Sequence, residues 1–168
     1  MALRDLLYDP VENRWVNYFS DAGGNYPGIR AVGSATSKDL INWEVTETPL
    51  FTIDDYKAAV PHRIKATDEE FFEHGRVYLH WTMHHNGCFY AVLIGTEEVG
   101  YTEEEGIRST STGRVIMAAD SPLGPFEYVA EIEEDDIPPG SNKPDFWNGR
   151  WYSVYTGTWG DQPGFGLA

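Results

Sequence analysis

The sequence predicts an all-β chain built from a repeated sheet unit, and three observations carry the prediction. An acidic segment, a tight turn ending in Arg and an aromatic strand recur together at Arg4 to Tyr18, Thr67 to Leu79 and Lys143 to Tyr155. Behind the first two copies runs a short apolar strand, then a Ser/Asp turn, then an aromatic residue opening another strand, from Gly28 to Glu44 and from Val115 to Glu127. Aromatic residues make up 14% of the chain, and 17 Gly and 10 Pro in 168 residues suit many short strands joined by turns. Hairpins repeated at wide spacing mark blades or solenoid turns. Four strands per unit is the plan of a β-propeller blade.

Taken in order, the first blade covers residues 1–60. Its hairpin turns at Asn13-Arg14-Trp15, and its third and fourth strands flank Ser37-Lys38-Asp39. The second covers 61–135, with a hairpin turning at His74-Gly75-Arg76 and a later turn at Asp120-Ser121-Pro122. The third, 136–168, turns at Asn148-Gly149-Arg150 and is expected to end within its third strand. Roughly two and a half blades are therefore expected, in one incomplete domain, because propellers close with four to eight. Thr52 to Lys65, Thr96 to Gly113 and Glu131 to Asn142 read as irregular connections, the kind of segment that rims a binding face. No stretch shows sustained helical periodicity, so helix is expected to be sparse.

A net charge of −15 argues against nucleic acid and anionic membrane as partners, since both carry the same sign. The runs Glu103-Glu104-Glu105 and Glu131 to Asp136 read as solvated loops. Cys88, the single cysteine, has no internal partner and no nucleophile signature around it, which makes it a packing residue. The start of the chain lacks an apolar export signal and no run reaches membrane-spanning length, so the expected location of the chain as written is the cytoplasm; a longer parent protein could be secreted.

Arg4-Asp5 before an apolar strand, the Asn13-Arg14-Trp15 hairpin, Ala35 to Glu44, Ala119 to Phe126 and Lys143-Pro144-Asp145-Phe146 together resemble the five-bladed β-propeller glycosidases. That superfamily holds the β-fructosidases and the arabinanase and β-xylosidase group. The resemblance implies a partial five-bladed propeller. It also implies hydrolysis of O-glycosidic bonds in furanosides or pentosides by paired carboxylates, one protonating the leaving oxygen and one serving as base or nucleophile.

Asp5 lies nine residues before Arg14 and Asp68 eight before Arg76, which places both on the innermost strands of their blades. The resemblance gives Arg4 and Asp5 the task of holding sugar hydroxyls and stabilising the transition state, or gives Asp5 that of tuning the general acid. Alternatively, Asp5 bonds backbone groups at a blade edge. In Thr67-Asp68-Glu69-Glu70, strand alternation sends Asp68 and Glu70 to one face and Glu69 to the other. Asp68 and Glu70 are candidate catalytic residues, with Glu69 or Glu70 as general acid; an exposed hairpin edge is the competing reading. Asn142-Lys143-Pro144-Asp145 falls where β-fructosidases carry Glu-Cys-Pro-Asp, so the neutral amide of Asn142 replaces the proton donor, and Asn142 and Asp145 are left as substrate-binding candidates. The blade supplying the nucleophile or base is not visible upstream of Met1. Together these departures predict weak or absent activity for the chain alone, as a fragment or degenerate relative.

Trp147 and Trp159 are candidates to stack on a sugar ring, while Trp15, Trp81 and Trp151 are expected in the second strands of their hairpins, packing between blades. Tyr26 and His62 are candidate rim contacts. His80, His84 and His85 lack a third metal ligand at a recognisable spacing, so no metal site is assigned. No cofactor is implied; some propeller glycosidases hold an axial calcium ion, but nothing here fixes its ligands. The expected partners are an oligosaccharide or glycoside substrate and, in the competing reading of a non-catalytic sugar-binding or structural half-ring, a second copy that completes the propeller.

Overall fold

A computed structural model describes residues 2–22, 25–26, 30–63, 76–102, 106–132, 143–152, 154–159 and 162–167. The chain divides into two units, Met1–Glu131 and Ile132–Ala168. The architecture is all-β, and the single α-helix among the described residues is one of seven residues.

In the first unit, β1 (Ala2–Asp9), β2 (Arg14–Ala22), β3 (Arg30–Ser37) and β4 (Glu44–Val45) follow one another across a sheet. The β1–β2 turn is organised by Asp9, which is 1% exposed. Its carboxylate accepts from the Val11 and Glu12 amides and from Arg14 Nε at 3.3 Å, so a buried charge acquires the partners that its burial demands. β4 pairs with Ala35 and Thr36, whereas β5 (Phe51–Thr52) pairs with Ala31 and Val32, so two short strands share the fourth position. Pro49, which has no amide to give, falls in the break between them, and Leu50 N–H resumes the bonding to Val32 O at 2.8 Å.

After β5 the chain enters α1 (Ile53–Ala59), where an irregular connection was expected. The start signal is a reciprocal cap: Asp55 N–H donates to Thr52 Oγ1, and the Asp55 carboxylate accepts from the Thr52 amide. Ile53 and Tyr56 then turn inward.

β6 (Arg76–His85), β7 (Cys88–Thr102), β8 (Gly106–Ala119) and β9 (Glu127–Ile132) form the second sheet, in that order. Asn86 and Gly87, at φ of 51° and 82°, make the two-residue loop between β6 and β7, a geometry that follows the right-handed twist of the flanking strands. The Thr96 to Gly113 segment, expected to be irregular, largely continues the β7–β8 pairing out to Thr102 and Gly106. Its polar alternation hid a strand pair that hydrophobicity alone does not reveal.

The two sheets match strand for strand, and the matching corrects the phase expected from the repeats. β1 carries a bulge between Leu3 and Asp5, and β6 carries one between Leu79 and Trp81. Aligned on these bulges, Arg4 corresponds to His80 and Asp5 to Trp81. β6 therefore holds the edge position of β1, not that of β2, and Arg76, which opens β6, is not the counterpart of Arg14, which opens β2. Trp81 lies in the first strand of its hairpin, against expectation, because Asn86 and Gly87 make the turn of the β6–β7 hairpin.

The first unit buries one main apolar layer. Leu7, Val16, Tyr18 and Val32 from one sheet meet Val77, Leu79, Phe89, Ala91, Leu93, Val115 and Met117 from the other, with Ile53, Tyr56 and Val60 closing one side. Each large side chain removed from water contributes about 1.5–3 kcal/mol. Two tyrosines stitch the layer: Tyr18 Oη donates to Pro122 O at 2.9 Å and Tyr56 Oη to Gly113 O at 3.0 Å. The opposite face of the first sheet holds a smaller cluster of Phe19, Tyr26, Ala31 and Ala35.

In the second unit, β10 (Asp145–Trp147) and β11 (Arg150–Tyr152) form a hairpin on another Asn-Gly loop, with Asn148 at φ 49° and Gly149 at 78°. β12 (Val154–Trp159) pairs antiparallel with β13 (Gln162–Leu167).

Burial, reinforced by the Asp5 and Asp9 carboxylates, pushes the Tyr18 phenol well above its usual 10.0, against a smaller opposing pull from Arg14. The unfolded chain then releases that proton first. Tyr18's contribution to stability is complete below pH 10 and is lost above it, at up to about 1.4 kcal/mol per pH unit. Urea unfolding from pH 9 to 11 should show this decline, and Tyr18→Phe should flatten it while lowering stability at pH 7 by about 1–3 kcal/mol. At Gly33, an added Cβ would lie 2.6 Å from Phe19 Cζ and from Tyr26 Cε2. Gly33→Ala should therefore cost about 1–3 kcal/mol in the same assay.

Candidate functional site

Arg4 and Asp5 sit on β1 where the bulge interrupts alternation. Leu3 pairs with Phe19, and past the bulge Asp5 pairs with Tyr18, on the face turned to the second sheet. Without the extra residue, Leu3 and Asp5 would share a face. The bulge thus aims the carboxylate at β6, a use of bulges that recurs beside functional sites.

Donors from both sheets reach the half-buried Asp5 carboxylate. Leu6 N–H donates to Oδ1 at 2.8 Å, and Thr82 donates to Oδ2 twice, from its amide at 2.6 Å and from its hydroxyl at 2.8 Å. β6 is the edge of its sheet among the described residues, and Asp5 supplies its Thr82 amide with an acceptor. Arg4 is exposed. Its Nε donates to Ser20 Oγ at 2.9 Å, and its guanidinium carbon stands 5.1 Å from the centre of the Tyr78 ring. That stack lends the cation direction without consuming its terminal nitrogens. A fixed carboxylate acceptor and an exposed guanidinium on consecutive residues are groups that can bond hydroxyls.

Of the other sequence candidates, Asp68, Glu69, Glu70 and Asn142 lie outside the described residues. Asp145 opens β10 and is exposed. Trp147 ends β10 and Trp159 ends β12, and their side chains also fall outside the described set. Tyr26, expected at a rim, is buried at 4%, with its hydroxyl donating to Thr46 O at 3.1 Å. Its aromatic body fills the space over Gly33, a contact that no local signal announces. His62 is exposed in a 3-10 turn, Pro61–Arg63, and its Nε2 meets Glu131 Oε1 at 3.0 Å. His84 stacks on Phe89 with ring centres 4.3 Å apart. No cluster of three potential metal ligands occurs among the described residues.

Among the described residues, concavities lie elsewhere. One of about 390 Å³ is lined by Leu50, Phe51, Asp55, Met117, Phe126 and Tyr128, and one of about 400 Å³ by Arg14, Ser37, Lys38, Asp39, Asn42 and Glu44. Neither includes Arg4 or Asp5. Asp39 is fully engaged in its own turn: the Asn42 and Ile41 amides and the Asn42 and Ser37 side chains donate to it and hold its carboxyl far below the usual range. The Arg4-Asp5 pair is the stronger candidate because its polar groups converge from two sheets, whereas the turn around Asp39 satisfies itself.

Asp5 accepts from backbone amides of Leu6 and of Thr82 on the β6 edge, which is what the alternative reading of Asp5 expected, and no expectation fell on Thr82 or Tyr78. The only local trace of their placement is the lost alternation around His80, which reads equally well as an ordinary apolar strand.

No protein-family model matches the chain, and no curated protein matches it. Among solved structures it is similar to an exo-β-1,3-galactanase from Clostridium thermocellum, at a TM-score of 0.52 and 15% identity over 90% of this chain and 30% of that one. An endo-arabinase from Bacteroides thetaiotaomicron aligns at a TM-score of 0.48 and 19% identity over 93% of this chain and 45% of that one. A thermostable family-43 glycoside hydrolase aligns at 0.45 and 16%, over 92% and 41%. The chain spans less than half the length of each of these enzymes. Its fold is that of a partial β-propeller.

Proposed function

We propose that this chain is a carbohydrate-active part of a propeller glycosidase that hydrolyses O-glycosidic bonds of furanosides or pentosides. The observation that carries the reading is the Arg4-Asp5 pair, set by a bulge, with Asp5 fixed by Thr82 and Leu6 donors. Such hydrolysis needs a proton donor for the leaving oxygen and a second carboxylate as base or nucleophile. Asp5, with donors already on both oxygens, suits a holding and orienting task, accepting from sugar hydroxyls and shaping the field around the reacting carbon. The proton donor is assigned to the Asp68 to Glu70 segment, with Glu69 or Glu70 as the acid. Asn142, Asp145, Trp147 and Trp159 are assigned to substrate binding, the tryptophans as stacking platforms.

A second reading has its own support. Leu6 and Tyr8 on β1 and Val45 on β4 are 41%, 41% and 42% exposed on the face of the first sheet turned away from the second. An apolar sheet face of that kind invites another sheet. In this reading the chain is a non-catalytic half-ring that pairs with a second copy.

Titration with arabino-oligosaccharides, together with turnover of 4-nitrophenyl α-L-arabinofuranoside and 4-nitrophenyl β-D-xylopyranoside, tests the first reading. Sugar binding weakened about 10- to 100-fold by Asp5→Asn is the expected result. Wild-type protein that neither binds nor cleaves would overturn it. Native mass measurement tests the second reading: a dimer that dissociates on Leu6→Lys is expected, and a strict monomer excludes ring completion by pairing.

A further inference from the structure

We infer that Thr82, on the neighbouring sheet, is a positioning residue for the Asp5 carboxylate, so that one sheet sets the geometry of the functional group carried by the other; this deepens the proposed carbohydrate reading and rests on it. Thr82 is 1% exposed, yet it is polar and lies on a strand whose neighbours Leu79 and Trp81 are apolar. Buried hydroxyls cost stability unless they find a partner. This one donates its hydroxyl and its amide to the same oxygen, Asp5 Oδ2, at 2.8 and 2.6 Å. Leu6 N–H holds the other oxygen, Oδ1. With each oxygen engaged, both the position and the rotation of the carboxylate are set.

The geometry discriminates among residue types. Serine would retain both Thr82 bonds, valine would retain the amide bond and the shape but lose the hydroxyl, and the two bulges would be untouched by either change. Arg4 is met from the same strand, by the Tyr78 ring, so β6 contacts both residues of the pair. A purely architectural role would require only that β1 and β6 stay together. A positioning role requires in addition that loss of the Thr82 hydroxyl be felt at the ligand through Asp5.

A double-mutant cycle in the full chain separates the two. Arabinotriose affinity is measured for wild type, Thr82→Val, Asp5→Asn and the double variant, with Thr82→Ser as the conservative control, and urea unfolding is followed for all five. Thr82→Val should weaken binding about 3- to 10-fold in the wild-type background and less than about twofold in the Asp5→Asn background, and Thr82→Ser should bind as wild type does. Equal losses in both backgrounds, or a folded Thr82→Ser that binds no better than Thr82→Val, would overturn the inference. If wild type binds no arabinotriose, the carbohydrate reading and this inference fall together. Coupling of residues 5 and 82 in urea unfolding alone would then leave the contact as a structural tie.

Discussion

Everything in the first unit depends on the closing of two sheets over a single apolar layer. The driving force is non-directional, since Leu79, Leu93, Phe89, Val16 and Val32 gain from leaving water in almost any tight arrangement. Directional groups select the arrangement. Tyr18, Tyr56 and Asp5 each carry a polar atom into or beside the layer, and each finds a partner on the second sheet or its connecting turn. If the sheets slide by one residue, three polar groups lose their bonds at once, which is a larger penalty than the apolar contacts alone would exact.

The paired bulges explain how a repeated unit supplies different chemistry at equivalent places. Both edge strands break alternation at the same step, and the residue inserted is Arg4 in one and His80 in the other. The next position holds Asp5 in the first strand and Trp81 in the second. The backbone device is shared and the side chains are not. The first sheet thereby presents a charged pair and the second presents the groups that hold it.

The all-β class was legible because Asn-Gly turns, capped Ser/Asp loops and aromatic strands are local signals. The split fourth strand and α1 were less so: Thr52 and Asp55 form a capping pair, but seven residues give little periodicity to read. The repeat phase went astray because Gly75-Arg76 resembles Asn13-Arg14 in letters, whereas the turn that joins β6 to β7 is Asn86-Gly87, and only the pairing register distinguishes them. Arg4 and Asp5 stand out in the sequence as candidates only, and the residues they touch do not stand out at all, because Tyr78 and Thr82 are 74 and 77 positions away in the chain. Contacts at that separation leave no periodic trace. Tyr26 shows the same limit, as a loop aromatic that reads as a rim contact and is in fact a lid on Gly33.

Asp5 is a joint of the fold, tying the edge of one sheet to the edge of the other. Changes at the two positions are energetically linked: replacing the aspartate strands a buried hydroxyl, and replacing the threonine releases a charge. Descendants that acquire a different chemistry at position 5 would be expected to have altered position 82 as well, so that the two behave as one heritable character distributed over two sheets.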